Sequence, residues 1–576
     1  MATVSPTEDS SPEAQASVAY FSMEVGLEDS IPTYSGGLGV LAGDTLRSAA
    51  DVALPMVAVS LLHRKGYFRQ KLDERGNQTE EELEWPVPET LAELAPRVSV
   101  EIEHRSVSLR AWRYDVRGIS GDIVPVLLLD ADLPANSPED RRLTDHLYGG
   151  DARYRLCQEV ILGIGGVRML RALGYRNLRR FHMNEGHAAL LTVELAFEKS
   201  RERREKTISR EAVQAINPLC VFTTHTPVAA GHDQFPLALV ASIITGYDHA
   251  FDERAREFCL NDVLNMTYLA LDHSQYVNGV AKRHGEVART MFAKHRIDSI
   301  TNGVHAATWA APPLQALLDH HIPDWRQDNA SLRHVLAIAK GEIWDAHANA
   351  KAELVRYVNE TTGAGMDPDV FTIAFARRAT VWKRADLVFN DLVRLQEIHA
   401  RAGAFQLVFG GKAHPKDDAG KALIRRIFEI KAALGSKVRL VYLEEYNMRL
   451  ARLLTAGADL WLNTPQPPLE ASGTSGMKAA INGVPSLSIL DGWWVEGCVE
   501  GVTGWAIGAD NGVDTDDDRS ADAASLYGKL EHVILPMFYA ERDRYIDVMR
   551  HALALNGSLF NTERMLDQYV RKAYFE

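Results

Sequence analysis

The sequence has few cysteines, no long greasy run and no surplus of positive charge. Cys157, Cys220, Cys259 and Cys498 are its only 4 thiols in 576 residues, and no two fall at C-x-x-C spacing. That excludes a disulfide frame and a thiolate zinc site, and suits reduced thiols in the cytoplasm. The longest apolar stretches, such as Leu54 to Leu62, have about half the roughly 20 residues that a bilayer span needs. The opening MATVSPTEDSSPEAQA is polar and acidic, so neither secretion nor a membrane partner is expected. A formal charge of −14 with a pI near 5.8 argues against nucleic acid or an acidic membrane as partner, since both need a basic face. Any anion must meet a local positive site.

Several motif classes are missing too. His182, His187, His225 and His232 crowd one region, but HMNEGH is not H-E-x-x-H and no metal is expected. GGKAHP at Gly410 lacks the spacing and the hydroxyl of a P-loop. Gly37 to Ala42 fits G-x-G-x-x-A, yet the preceding strand ends too early and no acidic residue closes the next one, which disfavours a dinucleotide enzyme. In DTDDDRSAD, Asp514, Asp516, Asp518, Ser520 and Asp522 alternate faintly like a calcium loop, but Arg519 stands where glycine is needed. It reads as a wet surface loop.

What is present is 46% apolar content, enough for two large cores. Residues 1–16 read as a disordered tail. Short β-branched runs then alternate with helical patterns, first through SVAYFSMEV, PMVAVSLL, VPVLLLDAD, RRFHMNE, PLCVFTTHT and SQYVNGVA, and again through VFTIAFA, FQLVFGG, KVRLVYLE, DLWLNTP and PSLSILD. This predicts an α/β protein with parallel sheets covered on both faces. Two Rossmann-like domains, 17–305 and 306–576, should face each other across a cleft, with the boundary near Gly303 to Trp309. Ligands bind beyond the carboxyl ends of such strands, and the unusual residues stand there.

In YSGGLGVLAGD, Gly36, Gly37 and Gly39 precede a helical run, so bare backbone and free N–H groups could meet an anion. A tight helix-entry turn without ligand explains them equally. In FARRATVWKRADL, four cations within eight residues repel one another unless they share something negative. Arg384 fits a solvated helix start, whereas paired Arg377 and Arg378 at a strand end, with Lys383, suit phosphate oxygens. EASGTSGMKAAING, from Glu470 to Gly483, sets Gly473, Thr474, Ser475 and Gly476 at a helix start with Lys478 just behind. A helix N-terminus disfavours a cation and favours the neutral amine, which an aldehyde requires. A phosphate cradle beside such a lysine is the chemistry of pyridoxal phosphate.

Together these blocks resemble the α-glucan (glycogen, starch and maltodextrin) phosphorylases, in their short bacterial branch. SGGLGVLA, GYFRQK, YGGDARYRLCQEVILG, MNEGHAAL, THTPVAAGHDQFP, VNGVAKRHGEV, TNGVHAATW, ARRATVWKR, GGKAHP, LVYLEEY and EASGTSGMKAAINGVPSLSILDG match in order, from about Tyr20 to Glu496. The resemblance implies a glycosyltransferase-B architecture and pyridoxal 5'-phosphate tethered to Lys478. It implies Arg377 and Thr474 on the cofactor phosphate, with Tyr446 near its ring. It implies Gly37, Arg378 and Lys383 on the substrate phosphate. His225, Asn278, Glu470, Ser472 and Gly473 would surround the reacting glucosyl unit, with His187 as a neighbour.

The activity so implied is reversible phosphorolysis of α-1,4-glucan by orthophosphate, giving glucose 1-phosphate, in an enzyme that is often a homodimer. The chain departs from mammalian and plant members at Arg377, Trp382, Ser475 and Gly476. It opens almost directly on the first strand, so phosphorylation and nucleotide control are not expected. A nucleotide-sugar glycosyltransferase of the glycogen synthase kind is the nearest rival, and an inactive glycan-binding protein the next.

Overall fold

A computed structural model describes residues 16–228, 231–247, 258–508 and 519–575. All but the last residue of the expected tail, and Asp514, Asp516 and Asp518 of the acidic run, lie outside them.

Two sheets carry the fold. The first contains β1 (Val18–Ser22), β2 (Met56–Leu61), β5 (Arg105–Arg117), β6 (Ile123–Asp130), β7 (Arg180–Asn184), β8 (Cys220–Thr223), β9 (Tyr276–Gly279) and β10 (Asp298–Ser299). Between β2 and β5 a separate hairpin is formed by β3 (Arg69–Leu72) and β4 (Gln78–Glu81). The second sheet contains β11 (Phe371–Ala376), β12 (Phe405–Gly410), β13 (Leu440–Leu443), β14 (Leu460–Asn463), β15 (Ser486–Ile489) and β16 (Gly504–Ile507). The parallel part of the first sheet is ordered β10-β9-β8-β7-β1-β2-β6, and the second β13-β12-β11-β14-β15-β16. In each, the chain lays strands outward on one side of its first strand, then returns to fill the other. The reversal points fall between β1 and β7 and between β11 and β14, where α/β sheets open a crevice for ligands.

The apolar runs build these sheets because both faces are covered. Along β1, Val18 and Tyr20 enter one core layer while Ala19 and Phe21 enter the opposite one. Along β11, Phe371, Ile373 and Phe375 face one layer and Ala374 and Ala376 the other. One edge departs from the expected parallel pattern. β5 pairs antiparallel with β6; its first half buries Val107, Leu109 and Ala111 in one core layer, and its second half turns Trp112 and Val116 into the other.

The chain leaves the first sheet after Ser299, enters the second at Phe371, and returns to the first at its end. The helix Thr562–Tyr569 brings Met565, Leu566 and Tyr569 into the core layer that holds Val18 and Tyr20. The Tyr574 hydroxyl lies 2.7 Å from His182 Nδ1 on β7. The final helix therefore packs on the first sheet.

Helix α1 (Gly37–Asp51) seats the glycine loop by close backbone packing: a Cβ at Gly43 would lie 1.9 Å from Gly26 O. Alanine gains about 1 kcal/mol of helix propensity, but a collision with backbone has no side-chain remedy and overpacking costs about 1–3 kcal/mol. Gly43→Ala is expected to lower the melting temperature by a few degrees in a calorimetric scan, despite the better helix former.

Candidate active site

The loop after β1 is organised by a buried carboxylate. Glu24 Oε2 accepts the N–H groups of Ser35 at 2.6 Å and Gly36 at 3.2 Å, and its Oε1 accepts the Tyr148 hydroxyl at 2.9 Å. The N–H groups that open α1, from Gly37 onward, have no acceptor within their own helix, and the space where a Cβ of Gly37 would stand is open. Over this loop lies Arg378, delivered from the end of β11. Its Nη2 donates to Ser35 Oγ at 3.3 Å. Arg378 therefore meets the Ser35–Gly36 loop across the two sheets, with its Nη2 3.3 Å from where a Cβ of Gly36 would stand.

Behind Arg378, two cations share one carboxylate oxygen. Arg377 Nη1 donates to Glu470 Oε2 and to Asn463 Oδ1, while Lys383 Nζ reaches the same Glu470 oxygen at 2.6 Å and sits 3.6 Å from the Trp382 ring centroid. Burial pushes Lys383 down to about 7; Arg377 adds to this and Glu470 opposes it. Burial alone would raise Glu470, but Arg377 and Lys383 outweigh it and hold the carboxyl at about 2. Burial lifts nearby Asp491, whose Oδ2 accepts Glu470 N at 2.8 Å, to about 7. Arg384 corrects the expectation of a solvated helix start. It is buried, donating to Thr464 O at 3.0 Å and Asp522 Oδ2 at 2.8 Å.

The lysine helix α2 (Thr474–Ile481) starts at Gly473, whose φ of +87° only glycine adopts readily. Buried Ser472 Oγ and Ser475 Oγ have no hydrogen-bond partner, which marks a place built for polar atoms from elsewhere. Half-buried Thr474 opens the helix. Lys478 is buried, with Nζ 3.8 Å from the Trp309 ring centroid; Trp309 Nε1 donates to Asp44 Oδ2 at 2.7 Å. Burial lowers Lys478 to about 8, against Asp44 and with Arg452. The amine is softened in the expected direction, but desolvation rather than the helix dipole is the main cause. Half-buried Tyr446, raised mainly by desolvation, feels the charge of Arg377.

On the β7 and β8 side, Glu185 takes a strained φ of +78° and accepts His225 N at 2.7 Å. His225 Nε2 is buried without a partner, and burial holds the ring well below its ordinary pKa and therefore neutral. His187 Nε2 lies 3.2 Å from Asp233, which also takes Arg155 at 2.8 Å.

Asn278 is a strut between strands and the last helix: Oδ1 accepts from Thr223 at 2.9 Å and Nδ2 donates to Tyr569 at 3.0 Å. The asparagine with a buried, unpartnered oxygen is Asn302, in TNGVHAATW. Sequence reasoning missed Asn302, whose signal was that quoted block, and Glu24, whose only signal was an acidic residue just past a strand. Lys412 of GGKAHP ties the sheets together, donating to Phe68 O at 2.9 Å and Glu445 at 2.8 Å. Among the described residues no group of three metal-ligating side chains occurs, and no helix is long and apolar enough to cross a membrane.

The family model described as "Carbohydrate phosphorylase" matches residues 172–504. The chain is 38% identical to the maltodextrin phosphorylase of Thermococcus litoralis, over 98% of this chain and 71% of that one. It is 36% identical to the glycogen phosphorylase of Mycobacterium tuberculosis, over 97% and 70%. With the glycogen phosphorylase of Aquifex aeolicus it shares 32% identity, over 97% and 86%.

Proposed function

This chain belongs to the carbohydrate phosphorylase family, and from that premise we propose that it cleaves α-1,4-glucan from the non-reducing end with orthophosphate, releasing glucose 1-phosphate with retained configuration. The observation that carries the proposal is the approach of Arg378 to the Ser35–Gly36 loop, beside the cluster of Arg377, Lys383 and Glu470.

Phosphorolysis must hold a phosphate dianion beside C1 while that carbon becomes oxocarbenium-like, and must return a proton to the departing 4-oxygen. Arg378, Lys383 and the open N–H groups at Gly37 supply the anion site. Without phosphate, Glu470 is the counter-ion for the buried cations. An arriving dianion opposes the effect of burial on Lys383, so binding near neutral pH draws a proton onto its Nζ. Neutral His225, Ser472 and Asn302 turn unpartnered buried polar atoms toward the sugar hydroxyls, with Asn302 taking the place first given to Asn278. Gly473 lets backbone approach the ring, and His187 braces that wall through Asp233.

The residues also suit pyridoxal 5'-phosphate. Lys478 would hold its aldehyde end, and Thr474, Ser475, the start of α2 and Arg377 its phosphate end, with Tyr446 beside the ring. Bound there, the cofactor supplies a phosphate group able to exchange protons with the substrate phosphate. Because only the unprotonated amine attacks an aldehyde, a Lys478 at about 8 predicts how uptake responds to pH. Absorbance-monitored loading of apoprotein should quicken as pH rises, with a midpoint near 8 rather than the 10.5 of a free lysine.

We assign residues 17–305, with the returning helix from Thr562, to the glucan lobe and most of 306–561 to the cofactor lobe. The reading includes a cytoplasmic location, which the dispersed free thiols support. The test is release of glucose 1-phosphate from maltodextrin. It should require orthophosphate, and glucosyl transfer from a nucleotide sugar without phosphate would overturn the reading.

A further inference from the structure

Outside the cleft, a pocket of about 500 Å³ opens on the first sheet, walled by Arg64, Trp85, Asp132, Arg141, Arg142 and Asp145. A cavity of this size suits a ligand of several rings. Half-buried Trp85 packs against the core on one side, and its Nε1 donates to His63 O at 3.3 Å. The rest of the indole is left to line the pocket.

The charges of this wall largely cancel in place. Arg64 pairs with Asp130 at 2.5 Å, Arg141 with Asp132 at 2.6 Å, and Lys65 with Glu82 at 2.9 Å. Exposed Arg142 is balanced by unpaired acids in the same lining, Glu84 and Asp145. Such a pocket offers many hydrogen-bonding groups without a net field, so neither a phosphate nor a free cation is favoured over a neutral, polyhydroxylated ligand. A flat aromatic surface beside planar charged groups suits a sugar ring, which has an apolar face and a polar rim.

Its position adds a second argument. Arg64 N and Lys65 N bond to the carbonyls of Thr144 and Asp145 at 3.1 and 2.8 Å, and Leu147 N bonds back to Gly66 O at 2.9 Å. Asp145 thus stands three residues, at most about 10 Å of chain, from Tyr148. The Tyr148 hydroxyl holds Glu24 under the glycine loop, and its ring centroid lies 5.9 Å from that of His187. A glucan consumed only at its end must lay its remaining units outside the reacting site.

We propose that this pocket is a distal subsite for the same glucan chain, with Trp85 as stacking platform and Arg142, Asp145 and Glu84 on the hydroxyls. The assignment rests on the phosphorolysis reading. It makes the protein discriminate by chain length: long glucans engage Trp85, and short ones end before it.

The experiment compares kcat/KM for maltotetraose and for a long maltodextrin in wild type, Trp85→Ala and Arg142→Ala, with calorimetric titration of the long glucan in the absence of phosphate. Trp85→Ala should lose about tenfold on the long substrate, with a smaller loss for exposed Arg142→Ala, and both should keep wild-type rates on maltotetraose. An equal fall on both substrates would mean general damage and overturn the assignment, as would long-glucan binding that is absent or insensitive to both variants. Should wild type release no glucose 1-phosphate while long-glucan binding still weakens in both variants, the activity falls and the pocket stands.

Discussion

Lys478→Ala should reduce phosphate-dependent release of glucose 1-phosphate by more than about 10³-fold, because loss of one preorganised catalytic donor already costs about 10²–10³ and Lys478 would anchor an entire proton-transfer group. The fold should not follow. Lys478 is buried in an environment that disfavours its charge, and its Nζ rests on Trp309, so truncation removes an unfavourable buried cation along with some packing. The melting temperature of the apoprotein should stay near that of wild type. Lys478→Arg separates charge from chemistry: it keeps a cation beside Trp309 and Asp44 but cannot take up an aldehyde, and should be as inactive as the alanine variant. Activity within tenfold of wild type in either variant would remove the cofactor from the account.

Arg378→Ala should lower kcat/KM for orthophosphate by about 10²-fold while leaving stability within about 0.5 kcal/mol. The contrast with its neighbour decides the choice of residue. Arg377 and Lys383 are coupled to Glu470 in a buried triad, and removing any member strands the others' charges, which confuses folding with function. Arg378 is exposed, and its contact with Ser35 Oγ at 3.3 Å is a weak one. What it offers is a guanidinium over the glycine loop. The KM for phosphate should carry most of the loss and the KM for glucan little, as steady-state kinetics with each substrate varied would reveal.

Much of the fold could be read in advance because buried parallel strands announce themselves as apolar β-branched runs, and their carboxyl ends carry the odd residues. Strand order could not be. It depends on which face each crossover covers, so the paired reversals at β1/β7 and β11/β14 emerge only in three dimensions. The antiparallel edge at β5 and the return of the Thr562–Tyr569 helix to the first sheet were hidden for the same reason.

In the site, residues within one motif were easier to place than partners far apart in the chain. Arg377 and Lys383 stand together in ARRATVWKR and meet on Glu470. Glu24 reaches Ser35 and Gly36 across an intervening loop that no spacing rule describes. VNGVA and TNGVH are nearly the same string, yet Asn278 bonds to Thr223 and Tyr569 while Asn302 keeps a free buried oxygen. Which way an asparagine turns depends on the packing of distant elements. The softened Lys478 was anticipated from the helix start, but the cause is burial against Trp309, which only the fold could supply.

The most direct test of the central claim is mass spectrometry of the protein as purified, reduced with borohydride and digested. The account predicts a phosphopyridoxyl group fixed to the peptide bearing Lys478 and to no other lysine. An unmodified Lys478 peptide from protein that nonetheless releases glucose 1-phosphate, or the group fixed elsewhere, would contradict it.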